Sequence, residues 1–146
     1  MEKISFDSGI KAFKINGAGV LRFNPSDPNV YARFMEAGDK MQNVEKNLAE
    51  EAKRIGEADG AAVVQLLNRA DREIKHILGW VFGQENDFDR IVGGVNLLAV
   101  AENGQRVVTN LLNALEPVLV DGAERCAREK VENAVNKANV RRGETL

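Results

Sequence analysis

The chain has 146 residues, of which 44% are hydrophobic and 29% are charged. That length suits one domain, and the apolar content is sufficient for one core. Twenty basic and 22 acidic side chains leave a net charge of -2, which provides no broad positive field for a nucleic acid or an anionic membrane. We therefore predict a single soluble domain over residues 1–146 that binds neither.

The start of the chain favours a cytoplasmic location. Residues 1–7 lack the apolar stretch of a signal peptide, and no later segment approaches the ~18 uncharged apolar residues of a membrane span. The single cysteine, Cys126, excludes an intrachain disulfide, which agrees with a reducing compartment. We expect the protein to remain in the cytoplasm.

The N-terminal region, residues 1–24, is predicted to form a β-hairpin. Apolar and polar side chains alternate from residue 4 to residue 23, and Asn16-Gly17 interrupts the alternation. Both turn residues accept the positive φ of a type I′ turn, and the early start of the alternation allows a third short strand. Because an isolated hairpin is marginally stable, it must pack on helices or pair with another chain's edge.

Residues 27–82 are predicted to form a long αα-hairpin. Asp27 and Pro28 suit the N-cap and first position of a helix that runs to about residue 55. Gly56 and Gly60 bracket the turn to a second helix that ends at Gly83. Both helices carry a heptad seam, with apolar residues spaced alternately by four and three. The seam consists of Val30, Phe34, Ala37, Met41, Val44 and Leu48, then Val63, Leu67, Ala70, Ile74, Ile77 and Val81.

The remaining chain is predicted to contain a loop-rich segment and kinked C-terminal helices. Residues 83–103 include Gly93-Gly94, which restricts the apolar segment there to a short helical turn or irregular packing. Residues 104–140 are helical, and Pro117 predicts a kink or break because it lacks a backbone donor and clashes with the preceding turn. Residues 141–146 are expected to form a flexible tail. The predicted fold is thus mostly α, with the N-terminal hairpin packed on a helical bundle.

No set of residues provides a recognisable catalytic or metal-binding constellation. Glu73 and His76 match the Glu-x-x-His iron motif, but a di-iron site needs a second copy and His76 is the only histidine. Cys126 lacks an adjacent base that would make it a nucleophile. The glycine-containing stretches do not predict a phosphate-binding loop, because Gly17-Ala18-Gly19 lies in the hairpin and Gly93-Gly94 has no following Lys-Ser or Lys-Thr. Asp87 and Asp89 lack the ligand order of an EF-hand and are interpreted as loop-capping residues. We therefore predict no enzyme activity, no metal and no cofactor.

Without a predicted catalytic or metal site, we expect the protein to act through surfaces that bind other proteins. The seams and the large aromatic residues favour an internal core, with a partner interface as the alternative. A C-terminal stripe of small residues buries little area, so we expect it to bind a partner, while the hairpin edge joins subunits into a homo-oligomer. The candidate partner-binding residues are Phe13, Phe23, Arg128, Val131, Ala134, Val135 and Ala138.

Four segments carry a pattern found in one protein family. They are Ile15-Asn16-Gly17, Leu21-Arg22-Phe23-Asn24-Pro25-Ser26-Asp27-Pro28-Asn29 with Tyr31-Ala32-Arg33-Phe34, Val81-Phe82-Gly83, and Asn113-Ala114-Leu115-Glu116-Pro117. Together they resemble the tail assembly chaperones of long-tailed phages and prophages, and the likeness spans most of the chain. The resemblance implies a helical, non-enzymatic factor that binds the tape measure protein, helps recruit tail tube subunits and leaves the finished virion.

Two alternatives from other classes stay open. The same helical scaffold suits a structural phage subunit, such as a head-tail connector or minor tail component that is retained in the virion. It also suits a small cytoplasmic adaptor, unrelated to phage, whose helical hairpin binds one partner. Mass spectrometry of purified particles separates the first alternative from the chaperone, and the neighbouring genes separate the second.

Overall fold

The fold is a β-hairpin followed by a long αα-hairpin, a short helix and a long C-terminal helix. The computed structural model describes residues 1–56 and 59–144, and the side-chain surroundings of residues 1–56 and 59–129. The elements are β1 (Lys11–Ile15), β2 (Gly19–Phe23), α1 (Pro28–Ile55), α2 (Gly60–Phe82), α3 (Phe88–Ile91) and α4 (Val107–Glu144). The predicted architecture, mostly helical with an N-terminal hairpin packed on helices, is confirmed.

The hairpin forms where the Asn-Gly dipeptide predicts it. Strands β1 and β2 are antiparallel, with Lys11 opposite Phe23 and Ile15 opposite Gly19. Asn16 and Gly17 have φ values of 50° and 78°, as a type I′ turn requires. The possible third strand is wrong for the described chain, because residues 1–10 contain no strand and the sheet has two strands.

The αα-hairpin begins and turns at the predicted residues. The Asp27 carboxylate accepts the backbone N–H of Asn29 at 2.9 Å, and Pro28 occupies the first helical turn. Gly56, with φ of 75°, ends α1, and the Asp59 carboxylate caps α2 by accepting the Ala62 N–H at 3.1 Å. The two helices pack along their seams, so the heptad interpretation as an internal core is confirmed near the body of the molecule.

Aromatic rings join the hairpin to the helices. The Phe23 ring stacks on Phe13 with centroids 4.9 Å apart, and it meets the edge of Phe82 at 4.8 Å. Phe82 in turn contacts Phe34 at 6.5 Å and Phe88 at 5.7 Å. Such pairs contribute about 0.5–1.5 kcal/mol each beyond the area that they bury. This cluster fixes the hairpin against α1, α2 and α3.

The segment between α3 and α4 is irregular but contributes to the core. Leu97 and Leu98 are 0% and 4% exposed, whereas Val100 is 71% exposed. The backbone N–H groups of Val107 and Val108 donate to the carbonyls of Ala99 and Leu97 at 2.9 and 2.8 Å. Those carbonyls satisfy two donors in the first turn of α4, so the segment also starts that helix.

Helix α4 passes through Pro117 without the predicted break. The proline removes one backbone hydrogen bond, which would join its position to the carbonyl of Asn113. Asn113, Glu116 and Pro117 are all exposed, so the freed carbonyl lies on the solvent side of the helix, where the lost bond costs less than in a core. The break is therefore wrong, since α4 is one helix from Val107 to Glu144, while the alternative of a kink at Pro117 stays a prediction. The helix also continues four residues beyond its predicted end at residue 140.

Gly122 allows α4 to approach the start of α1 closely. A Cβ built on Gly122 would overlap the carbonyl oxygen of Pro25 in the turn between β2 and α1. The backbone of that turn is held by Asn24, whose side-chain oxygen accepts the Ser26 N–H at 2.9 Å. Neither side of the contact has a flexible side chain that can move away, so the site selects glycine.

Substitution Gly122→Ala is expected to lower the free energy of unfolding by about 1–3 kcal/mol, because the methyl group must displace backbone. The matched control is Gly38→Ala in α1, where an added Cβ meets no atom within 4 Å. That control should raise the free energy by about 0.5–1 kcal/mol through helix propensity. Urea unfolding followed by circular dichroism measures both, and equal effects would contradict the proposed close approach.

Candidate interaction surfaces

A buried lysine organises the polar part of the structure. The Lys75 side chain on α2 is 8% exposed, and its ammonium donates to Asp71 Oδ2 at 2.8 Å and Asp89 Oδ1 at 2.6 Å. Its third hydrogen bond is to the carbonyl oxygen of Val95 at 3.0 Å. An ammonium has three N–H donors, and all three are used. Lys75 therefore joins α2 to the segment after α3 and has no donor left for a ligand.

The partner carboxylate of Lys75 holds the same segment by a second bond. Asp71 Oδ1 accepts the backbone N–H of Leu97 at 2.8 Å. One helical turn earlier, the Asn96 side-chain amide donates to the carbonyl of Leu67 at 3.4 Å. We call residues 92–98, which cover this side of α2, the third layer. Sequence reasoning missed this cluster: the four-residue spacing of Asp71 and Lys75 is an ordinary surface pattern, and nothing in it indicates burial.

The charge state of Lys75 follows from these contacts. Burial lowers its pKa, but hydrogen bonds and Coulomb attraction from Asp71 and Asp89 outweigh burial, so the pKa is raised above the usual 10.5. The lysine is therefore charged at neutral pH. A charged, fully bonded ammonium is not a nucleophile, which makes this cluster a structural one.

Asn86 fixes the hairpin to the helices in a similar way. Its side chain is 6% exposed and behaves like a short strand partner, accepting the Arg22 N–H and donating to the Arg22 carbonyl, both at 2.9 Å. It also donates to the carbonyl of Phe82 at 3.0 Å. The outer edge of β2 is thereby capped by a side chain. In the sequence Asn86 stands in a polar loop and carries no signal of this role.

An open polar cavity of about 750 Å³ lies beside the Lys75 cluster, between α2 and the loop before α3. His76 and Glu73 are exposed on α2, and Asp87 caps α3 by accepting the Asp89 N–H at 3.1 Å. Across residues 1–56 and 59–129, no three His, Cys, Asp or Glu side chains gather in a geometry that would hold a metal ion. The cavity is lined by charged and amide side chains of α2 and of the loop before α3.

The third layer covers only half of the αα-hairpin. Asn68, Asp71 and Lys75 lie in one row of α2, and each of Asp71 and Lys75 bonds to the third layer. Val64 lies in the same row, one turn beyond Asn68, and is 54% exposed. This row of α2 is polar and covered by the third layer near the body of the molecule. It becomes apolar and uncovered toward the tip of the αα-hairpin, where α1 ends and α2 begins.

The seam shows the same change along its length. Near the body Ala37, Ile74 and Val81 are 1%, 0% and 0% exposed. Toward the tip Leu66 is 6% exposed, whereas Val63 and Leu67 are half-buried. Val44 and Leu48 of α1 line a hollow with Arg69 and Glu73 on the other side of the seam. We call the uncovered face of α2 the distal flank, and it comprises Val63, Val64 and Leu67. A third helix laid along it would bury an apolar row that the isolated αα-hairpin leaves in water.

A second apolar surface lies between β1 and α4. It is a groove of about 620 Å³, and Lys14 is the one charged side chain among the described residues that line it. Its apolar lining includes Phe13 and Ile15 of β1, Val95 of the third layer, and Leu111 and Ala114 of α4. Each strand of a two-stranded sheet has an outer edge, and the edge of β1 faces this groove.

The structure separates the candidate partner-binding residues. Phe13 is half-buried and lines the groove, whereas Phe23 is 3% exposed and belongs to the core. Arg128 is exposed on α4, and Cys126 is half-buried on the same helix. The side chains of Val131, Ala134, Val135 and Ala138 lie outside the described residues.

The distal flank is a surface that sequence reasoning treated only as a possible use of the seams. Its signal was present in Val64, an apolar residue off the heptad spacing.

Comparison with protein-family models, with curated proteins and with solved structures finds no match for this chain. Within the described residues, no helix combines the length and apolar character needed to span a membrane.

Substitution Lys75→Met is expected to lower the free energy of unfolding by about 3 kcal/mol at neutral pH, because it leaves the buried Asp71 carboxylate without its counter-ion. In the double variant Asp71→Asn/Lys75→Met the amide still accepts the Leu97 N–H. The unfolding free energy that the double variant loses should therefore be smaller, by at least about 1 kcal/mol, than the sum of the losses in Lys75→Met and Asp71→Asn. Urea unfolding measures this cycle, and strict additivity would contradict the buried pair.

The stabilisation by Lys75 should also depend on alkaline pH. Because the folded-state pKa is raised, the contribution is complete below the unfolded value of 10.5 and is lost as pH rises through the folded value. The difference in unfolding free energy between the wild type and Lys75→Met should therefore shrink above pH 10.5. A difference that stays constant across that range would show that the lysine charge contributes nothing.

Proposed function

We propose that this chain is a non-enzymatic tail assembly chaperone of the long-tailed phage type, acting in the host cytoplasm. In this proposal it binds the tape measure protein and helps recruit tail tube subunits. The distal flank carries the proposal, since it is an apolar continuation of a helix face whose other half is covered. The resemblance of the four sequence segments to that family supplies the identity of the partner.

The chemistry of the distal flank suits a helical partner. Two antiparallel helices with a half-buried seam present a shallow apolar groove along their length, which accepts an amphipathic third helix. The tape measure protein, as the resemblance implies, is a long helical chain whose apolar stripes aggregate when left bare. Packing such a stripe against Val63, Val64 and Leu67 would convert the two-helix tip into a three-helix bundle.

Charges on the other side of the αα-hairpin keep the free protein in solution. Arg69 and Glu51 bridge α1 and α2 at 3.6 Å on the exposed surface of the hairpin, with both side chains about half in solvent. Exposed pairs of this kind contribute little stability but keep the free protein soluble. A hairpin with charges on one side therefore tolerates an apolar strip on the other, and it gains from a partner that removes the strip from water.

Substitution Val64→Asp tests the proposal. Val64 is 54% exposed, so the charge should leave the free energy of unfolding within about 1 kcal/mol of the wild type. It should weaken binding to the tape measure protein of the same phage or prophage by at least about tenfold, because it buries an unpaired carboxylate in an apolar contact. Co-expression, solubility of the tape measure protein and affinity chromatography give the measurement.

The matched control is Met35→Asp on α1. Met35 is exposed to a similar extent, 57%, but lies outside the distal flank. This variant should keep the tape measure protein in solution as well as the wild type does. Equal losses in the two variants would contradict the assigned surface, and a wild-type chain that never binds the tape measure protein would overturn the function.

The same preparation separates the chaperone from a structural subunit. A chaperone is present in the infected or induced cell and absent from purified particles, which mass spectrometry measures. Recovery of the chain in stoichiometric amounts from finished particles would favour the head-tail or minor tail subunit instead. A gene neighbourhood without a tape measure gene would favour the adaptor.

A further inference from the structure

The first ten residues form an arm without regular secondary structure and with apolar side chains in water. Ile4 and Phe6 are 93% and 83% exposed, and Ile10 is 54% exposed. As a strand, residues 4–7 would place Ile4 and Phe6 on one face and Ser5 and Asp7 on the other. A turn follows, in which the Gly9 N–H donates to the Asp7 carboxylate at 2.8 Å. An arm with one apolar face and one polar face has the pattern of a strand that is missing its sheet.

The open edge of β1 has the complementary features. The outer edge of β2 is occupied, because Asn86 bonds both backbone groups of Arg22 and the backbone of Ile91 lies against Gly19. Among the described residues, β1 pairs only with β2. Its other edge therefore presents N–H and C=O groups beside the groove, where a further strand is able to pair.

The arm is held away from the groove of its own chain. The Asn24 side-chain amide donates to the Ser8 carbonyl at 3.0 Å, and Asn24 directly follows β2. Gly9, with φ of 74°, packs against the same side chain. This anchor draws the base of the arm to the β2 side of the hairpin, so reaching the open edge of β1 would break it. Residues 1–7 span up to about 24 Å when extended, which is enough to reach a neighbouring molecule.

We propose that the N-terminal arm of one copy pairs with β1 of a second copy and inserts Ile4 and Phe6 into its groove. The added strand extends the two-stranded sheet to three strands. Its apolar face covers Phe13, Ile15 and Leu111, and its polar face stays in water. This contact does not rest on the proposed function, because it involves two copies of this chain and uses the groove instead of the distal flank.

Size, polarity and charge each favour the arm as the occupant. The groove, at about 620 Å³, has room for an isoleucine and a phenylalanine side chain but is short for a helix of several turns. Lys14 is its charged lining residue, while residues 1–7 contain Glu2 and Asp7 against Lys3. Glu2 and Asp7 each offer Lys14 a carboxylate of opposite charge. In a repeated arrangement each copy both donates an arm and receives one, which gives a ring or a chain of subunits.

The substitution Phe6→Asp tests the arm, with Ser5→Asp as the matched control on its polar face. Phe6 is 83% exposed in the single chain, so its replacement should leave helix content and unfolding free energy unchanged. Sedimentation and light scattering should show wild-type and Ser5→Asp oligomers. Phe6→Asp should dissociate to a mass near the 16.0 kDa monomer, with self-affinity reduced at least tenfold. A monomeric wild type, or equal masses for the two variants, would overturn the proposal.

A mixing experiment tests the groove. Ala114→Arg places a charge and bulk at an exposed position of the groove on α4, and this variant should also be monomeric. Phe6→Asp chains keep an intact groove, whereas Ala114→Arg chains keep an intact arm, so an equal mixture should form a species with the mass of two copies. A mixture that stays monomeric would show that the arm and the groove are not partners. Both experiments use this chain alone, so a failure of the tape measure proposal leaves their outcome unaffected.

Discussion

The buried ammonium of Lys75 is the interaction on which the arrangement of the helices depends. A charge with 8% exposure must be surrounded by acceptors, and the structure supplies two carboxylates and a carbonyl from three separate parts of the chain. Asp71 then orients Leu97, whose carbonyl accepts the Val108 N–H at the start of α4. One ion pair on α2 therefore places both the third layer and the first turn of α4, and through them the wall of the groove.

The same interaction determines where the αα-hairpin is left uncovered. The third layer extends along α2 only as far as its polar partners do, and the last of these bonds joins Asn96 to the residues around Leu67. Beyond that point the helices continue with an apolar row but without a covering segment. This boundary explains why the body of the molecule has a three-layer core while the tip has two layers and an exposed Val64. It also separates the part of the chain that stabilises the fold from the part that we assign to a partner.

Two surfaces with different chemistry follow from this arrangement. The distal flank is a shallow apolar face of α2, so its complement is an amphipathic helix. The groove is short and borders a strand edge, so its complement is an extended segment with alternating side chains. Because the two lie on different elements, the self-association and the helical partner that we propose would use separate surfaces.

The sequence alone determined the local elements. The Asn16-Gly17 turn, the Asp27-Pro28 helix start and the heptad spacing each depend on neighbouring residues, so the hairpin and the αα-hairpin follow from short-range rules. Only the tertiary structure decided what those elements contact. The burial of Lys75 and Asn86, the glycine contact at Gly122 and the uncovered Val64 all depend on residues far apart in the chain, and solvent exposure of Pro117 allowed α4 to continue. Burial is a property of the assembled surface, which no local pattern of residue types specifies.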